Sequence, residues 1–188
     1  MKNVGTKTIE TDRLILRQFK SDDIPCMFKN WVNDAEVPKF LSWEPHGNIK
    51  VTCSIVTEWI IEYENNETYN WAIVNKENDE AIGSITVISM SQKHKSCELG
   101  YCLSRNFWSK GIMTEATRAI ISFLFEEVGL RRIQAQHDVM NLASEKVLLK
   151  SGMMLEGVLR QRRVRKDGSI ADGKIWSILH DDWSRHKL

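Results

Sequence analysis

Two spacings of apolar residues alternate along the chain. From Ile9 to Phe19 (IETDRLILRQF) the text is β-rich and predicts a first strand. Ile24, Met27, Phe28 and Trp31 then fall at i, i+3, i+4 and i+7, one face of a helix. Ser21 can accept a bond from a free amide at its start. Asp22 and Asp23 suit the positive end of the dipole, and Pro25 fits a first turn. Val37 to Asn48 carries Pro38, Pro45 and Gly47 and reads as a loop. A second helix is predicted over Lys50–Glu64, with the stripe Val51, Ile55, Val56, Trp59, Ile60 and Tyr63. Strands follow at Tyr69–Lys76, Glu80–Met90 and Lys95–Leu103, then a helix over Met113–Val128 that Gly129 ends. Arg131–Val139 alternates, with Ile133, Ala135 and His137 on one side. A helix over Leu142–Lys150 has Asn141 as its cap and Gly152 as its stop. Strands near Met154–Arg165 and Lys174–His180, joined through Lys166-Asp167-Gly168, close the pattern. The order β-α-α-β-β-β-α-β-α-β-β predicts one domain over residues 1–188, α+β, with helices packed on a mixed sheet.

Charge changes this picture little. Lys plus Arg is 26 and Asp plus Glu is 25, a net charge of +1, which argues against a nucleic-acid or acidic-membrane partner. Cys26, Cys53, Cys97 and Cys102 lack C-x-x-C spacing and sit in apolar or strand-like text. They read as reduced, mostly buried thiols of a cytoplasmic protein. The start of the chain has no apolar core of a signal peptide, and Ala119–Phe125 is too short to span a bilayer. The histidines show no ligand spacing, so no metal is expected.

Chemistry concentrates in Cys97–Ala116 (CELGYCLSRNFWSKGIMTEA): a strand, a short polar turn, a helix start. Such a junction presents backbone amides and a positive dipole end to an anion. Gly111 admits close backbone approach, and Lys110 adds a point charge.

Glu98-Leu99-Gly100-Tyr101 followed by Trp108-Ser109-Lys110-Gly111-Ile112-Met113-Thr114-Glu115-Ala116 resembles the acetyl-CoA motif of the GNAT superfamily. Thr11-Asp12-Arg13-Leu14-Ile15-Leu16-Arg17, the block Asn141–Ser144 with Val147–Met153, and Asp172 before Trp176 are similar to the ribosomal-protein N-terminal acetyltransferase (RimJ/RimL-type) branch. The four blocks lie in that branch's order, over roughly Ile9 to Trp183. Two positions depart from the motif. Asn106 stands at its Gln/Arg and Ser109 at its first Gly, where Ser109 still donates its amide provided φ stays negative.

The resemblance implies a GNAT-like, mainly antiparallel mixed sheet with a splayed central strand pair and helices on both faces. It implies direct attack of an amine on the thioester of acetyl-CoA in a ternary complex. That attack needs deprotonation of the amine, donors for the oxyanion and a proton for the leaving thiolate. On the strand Cys97–Leu103, Glu98, Gly100 and Cys102 share one face. Glu98 is the candidate base, read equally as a structural carboxylate. The amides of Tyr101, Cys102 and Leu103 would meet the pantetheine arm and the oxyanion. Ser109, Lys110, Gly111, Ile112, Met113 and Thr114 would hold the diphosphate. Ser144 is the candidate donor to sulfur, or a hydroxyl bonded within its own helical turn. Asn141 would contact pantetheine, cap the helix, or do both. A later carboxylate of some relatives falls here on Arg160-Gln161-Arg162-Arg163 and is not carried over.

Other readings stay beside these. Cys102 could carry the acetyl group, but a small buried residue is the favoured reading. Trp43, Glu44 and His46 sit where relatives build an acceptor pocket, whereas Trp31 and Trp71 read better as core. The run Arg160, Arg162, Arg163, Arg165, Lys166 could face CoA phosphates, an acidic protein or RNA, or be a solvated face. The acceptor is a protein N-terminus or a small amine. Against the enzyme stands a non-catalytic acyl-CoA-binding module. Oligomeric state stays open, a homodimer included.

Overall fold

A computed structural model describes residues 1–186, and it forms two compact units. One comprises Asn3–Thr86 and Tyr101–Ile112. The other comprises Met1–Lys2, Val87–Gly100 and the chain from Met113 on. The strands make a mixed, mainly antiparallel sheet. Strands β4 (Glu80–Ser91) and β5 (Ser96–Leu103) each contribute residues to both units.

In the first unit, the predicted opening strand is two short ones, β1 (Ile9–Glu10) and β2 (Leu14–Arg17), paired antiparallel. The polar triplet Thr11-Asp12-Arg13 breaks it. The Thr11 amide donates to the Leu14 carbonyl and the Leu14 amide to the Thr11 hydroxyl, both at 3.0 Å, which closes a turn. Strand β2 pairs with β3 (Asn70–Asn75), and β3 with β4. The first helical segment begins as a 3₁₀ turn, Ser21–Asp23, continues as α1 (Ile24–Met27) and widens into a π-type turn, Phe28–Val32. Asp23, not Ser21, ties down its start. Its carboxylate accepts from the Lys20 amide at 2.7 Å and takes a bidentate bond from Arg17. Helix α2 (Ile49–Glu62) turns Thr52 and Val56 inward and leaves Val51 exposed, against the predicted stripe. Phe19, Met27, Trp31, Val56 and Val74 form the core there, with Trp43 packed on it. Trp31 and Trp71 are 1% and 0% exposed, so both are core residues.

In the second unit, β5 runs parallel to β6 (Arg132–Asp138), and β8 (Ile170–Leu179) lies antiparallel between β6 and β7 (Met154–Val164). Helices α3 (Ile112–Phe123), continued by a π-type turn to Val128, and α4 (Leu142–Lys150) match the expected spans. Gly129, at φ 76°, supplies the left-handed stop. Helix α5 (His180–His186) is short and mostly polar, and no periodicity announced it. It is held by buried Trp183 against Phe125 at 5.5 Å. Strand β8 starts earlier than predicted because its partner β7 extends the hairpin to Val164↔Ile170. The β7 bulge at Gln161 (φ 53°) is fixed by Asp172, whose carboxylate accepts the Gln161 amide at 2.8 Å. Cys97 is buried and Cys26 and Cys102 are half-buried, but Cys53 is exposed, which corrects the expectation for that thiol.

The parallel ladder runs from Ser96↔Arg132 to Leu99↔Ala135, while β5 continues to Leu103 and β6 to Asp138. Each strand follows a different neighbour beyond that point. In the first unit β4 approaches distal β5 so closely that a Cβ on Gly83 would lie 2.5 Å from the Cys102 carbonyl oxygen. In the second, β6 stays paired with β8 through Asp138↔Gly173.

Candidate functional site

The turn ahead of α3 is built from Ser104 to Gly111. Buried Ser104 donates its amide to the Ile82 carbonyl at 2.7 Å, and the Trp108 indole donates to the Leu103 carbonyl at 2.8 Å. Ile112 and Met113 are buried, 4% and 5% exposed, and anchor the helix start, whereas Ser109, Lys110 and Gly111 stay at the surface. Ser109 has φ 61° and Gly111 φ 76°, with Lys110 between them. Alternation of this kind turns successive amides toward one concave side, the geometry of an anion-binding nest, and the helix dipole adds to it. Ser109 thus adopts the left-handed conformation that the sequence reading required it to avoid. A non-glycine residue there costs about 1–2 kcal/mol. Part of that returns as lower unfolded-state entropy, about 0.4–1 kcal/mol relative to glycine. Ser109→Gly should therefore raise the melting temperature by about 2 °C, read by calorimetry. An unchanged or lower melting temperature would mean that Ser109 is not strained.

Arg13, which the sequence marks only as part of the opening block Thr11–Arg17, belongs to this turn. Its guanidinium donates to the Lys110 carbonyl at 3.0 Å across 97 positions of chain. The Lys110 ammonium lies 5.5 Å from the Phe107 ring centroid.

In the second unit the two faces of β5, β6 and β8 differ. Cys97, Leu99, Ile133, Ala135, His137, Trp176 and Ile178 are buried on one. There the Trp176 indole donates to His137 Nε2 at 2.9 Å, so His137 carries its proton on Nδ1, which donates to the Asp138 carbonyl at 2.8 Å. Burial lowers the His137 pKa and keeps the ring neutral. The other face is polar. Glu98 Oε2 accepts from Gln134 Nε2 at 3.0 Å and from Gln136 Nε2 at 3.2 Å. Arg132 forks onto Glu156, and the Ser177 hydroxyl adds a third bond. Together they pull the Glu156 carboxyl down to about 2.

Where β6 ends, Asp138 organises the start of α4. It accepts the Met140 amide at 2.8 Å and a bidentate bond from Arg165, which holds its carboxyl below the usual range. Asn141 Oδ1 accepts the Ser144 amide at 3.1 Å, so the capping role of Asn141 is real. Glu98, Asn141 and Ser144 lie in this unit with Met113 and Thr114. Tyr101, Cys102, Leu103, Ser109, Lys110, Gly111 and Ile112 lie in the other. Cys102 shares a 3.2 Å contact with the Ser84 hydroxyl, and burial raises its thiol pKa, which disfavours a thiolate. The arginine run is only partly a solvated face. Arg165 is paired with Asp138, Arg163 donates to the Gln136 carbonyl at 3.3 Å, and the Arg162 stem lies beside Gly173. In the expected acceptor loop His46 Nδ1 is 2.8 Å from the Thr52 hydroxyl. Among the described residues no cluster of three or more His, Cys, Asp or Glu could hold a metal ion, and no helix is long and apolar enough to cross a membrane.

The chain is similar to known acetyltransferases. The family model described as Acetyltransferase (GNAT) domain matches residues 13–154. The uncharacterized N-acetyltransferase YoaA of Bacillus subtilis (strain 168) is 34% identical over 91% of this chain and 96% of its own. The ribosomal-protein-serine acetyltransferase of Escherichia coli (strain K12) is 34% identical over 47% of this chain and 50% of its own. The crystal structure of a GNAT-family acetyltransferase from Bacillus anthracis superposes with a TM-score of 0.81 at 23% identity, covering 93% of this chain and 99% of that one, a likeness of fold. The chain belongs to the GNAT acetyltransferase family.

Proposed function

We propose that this acetyl-CoA-dependent N-acetyltransferase acetylates a primary amine, a protein N-terminus or a small molecule, by direct attack in a ternary complex. The observation that carries the reading is the turn in which Ser109 and Gly111 both take positive φ directly before α3. Its exposed nest of amides fits a diphosphate, and a positive φ at Gly111 is one that side chains disfavour. Acetyl-CoA supplies the electrophilic thioester. Lys110 and the amides of Ser109, Gly111, Ile112, Met113 and Thr114 hold its diphosphate, with Arg13 bracing the turn. The amides of Tyr101, Cys102 and Leu103 donate to pantetheine and to the developing charge on the carbonyl oxygen. Glu98 takes the amine proton, directly or through water. The Ser144 hydroxyl donates toward sulfur, and Asn141 holds pantetheine as well as the helix start. Residues 1–188 act as one acetyltransferase domain, and the enzyme works in the cytoplasm on a soluble acceptor.

The name of the Escherichia coli relative, a ribosomal-protein-serine acetyltransferase, favours a peptide bearing serine as the first acceptor to try. The test is release of free CoA thiol from acetyl-CoA with peptides bearing varied N-termini, polyamines and small amines. Turnover on one class is the expected result. Tight CoA binding with no turnover on any amine would leave a binding module.

A further inference from the structure

We infer that Gln134 and Gln136 are positioning residues that fix the rotamer of Glu98 and reserve its Oε1 for the proton that the amine gives up. The inference rests on reading Glu98 as the base. Glu98 and Gln134 are direct partners in the parallel ladder, and Gln136 follows two residues on, on the same face of β6. Both amide nitrogens converge on a single oxygen, Oε2, at 3.0 and 3.2 Å. Two donors use both lone pairs of that oxygen.

The orientation of Gln134 is itself determined. Its carbonyl oxygen accepts from Arg132 Nη2 at 3.2 Å, so its NH₂ must turn to Glu98. Arg132 is in turn held by the bidentate bond to Glu156, and Glu156 by Ser177. A hydrogen-bonded chain thus runs from β8 through β7 and β6 to Glu98 on β5. Neutral amides suit the task because they orient a carboxylate without a fixed positive charge that would repel an incoming ammonium. A lysine or arginine in their place would do both.

The chemical step balances simply. The ammonium R–NH₃⁺ gives one proton to Glu98 Oε1, leaving the free amine and a neutral carboxylic acid, which later returns that proton to solvent. With Oε2 occupied, the proton has one place to go. With the amides removed, the carboxylate turns freely between rotamers, and only part of the population presents an oxygen to the amine.

The experiment is a cycle of variants, measured with acetyl-CoA and the amine that turns over fastest in the panel above. Glu98→Gln comes first. A full rate there removes the base and the positioning with it. Given a slowed Glu98→Gln enzyme, Gln134→Leu with Gln136→Leu should lower kcat by about tenfold, as expected on losing hydrogen bonds to a charged acceptor. KM for acetyl-CoA should not move. The same pair placed on Glu98→Gln should change kcat by less than about twofold, because the coupling is lost with the carboxylate. Equal losses in both backgrounds, or no loss in either, would overturn the assignment. Gln136→Ala, alone and on Glu98→Gln, repeats the cycle with a smaller side chain should the double variant fold poorly.

Discussion

Glu98→Gln is expected to lower kcat/KM by about 10²–10⁴-fold at neutral pH, the usual worth of a positioned general base. The substitution is close to isosteric and leaves the apolar face of β5, Cys97 and Leu99, untouched, so the fold should survive. The deficit should shrink as pH rises, since a substrate already present as free amine does not need the carboxylate. The pH at which it closes identifies the acceptor. For an N-terminal α-amine that should occur around pH 8, and for a lysine side chain or alkylamine about two units higher. Initial rates from pH 6 to 10.5 with wild type and variant give the comparison. A loss that stays constant across this range would remove Glu98 as base and leave it a structural carboxylate.

Much of the scaffold around Glu98 was legible because it is written in local periodicity. Helix α4, the Asn141 cap and the buried side of β6 follow from side-chain spacing and came out as read. Departures arose where one short segment had to be weighed against another. Ile9–Phe19 carries enough β-formers for a strand, yet three polar residues in succession bend it into a turn that only the pairing Ile9↔Leu16 reveals. The stripe of α2 holds from Ile55 to Tyr63 and fails only at its first position. Val51 is apolar but faces out, and Thr52, fully buried, takes the inward position with its hydroxyl beside His46. Helix α5 is too short and too polar for periodicity to mark it, and what holds it is one tryptophan packed on α3's extension.

The candidate site was legible in a different way. Its motif residues lie within two short runs of chain, so a resemblance could find them. Their supports could not be found so. Arg13 reaches Lys110 across nearly a hundred residues, and Gln134 and Gln136 gain meaning only when β6 lies parallel to β5 in the observed register. Alternation along β6 did mark Ile133, Ala135 and His137 as one side. The same alternation places Gln134 and Gln136 together on the other, which was the available signal. Ser109 shows the reverse problem. Its side chain suggests negative φ, but the turn takes φ 61° there.

Gly111→Val should weaken CoA binding by at least about 100-fold, a change of about 2.7 kcal/mol. Space is not the reason. The nearest atom to an added Cβ is an Arg13 guanidinium nitrogen at 3.6 Å, an ordinary contact. The reason is φ 76°, a conformation in which a β-branched residue is a genuine outlier costing about 1–3 kcal/mol. The turn will relax by rotating its peptides, and rotation carries away amides worth about 1.5–3 kcal/mol each when they face a charged acceptor. Buried Ile112 and Met113 still anchor α3, so the helix should persist. Titration calorimetry with CoA measures the loss. The control is Gly168→Val, which imposes the same strain at φ 81° in the β7–β8 hairpin, where an added Cβ has nothing within 4 Å. Both variants should lose comparable stability, and only Gly111→Val should lose CoA. Equal affinity in the two would mean that this turn does not hold the diphosphate, and the assignment of Ser109–Thr114 would fall.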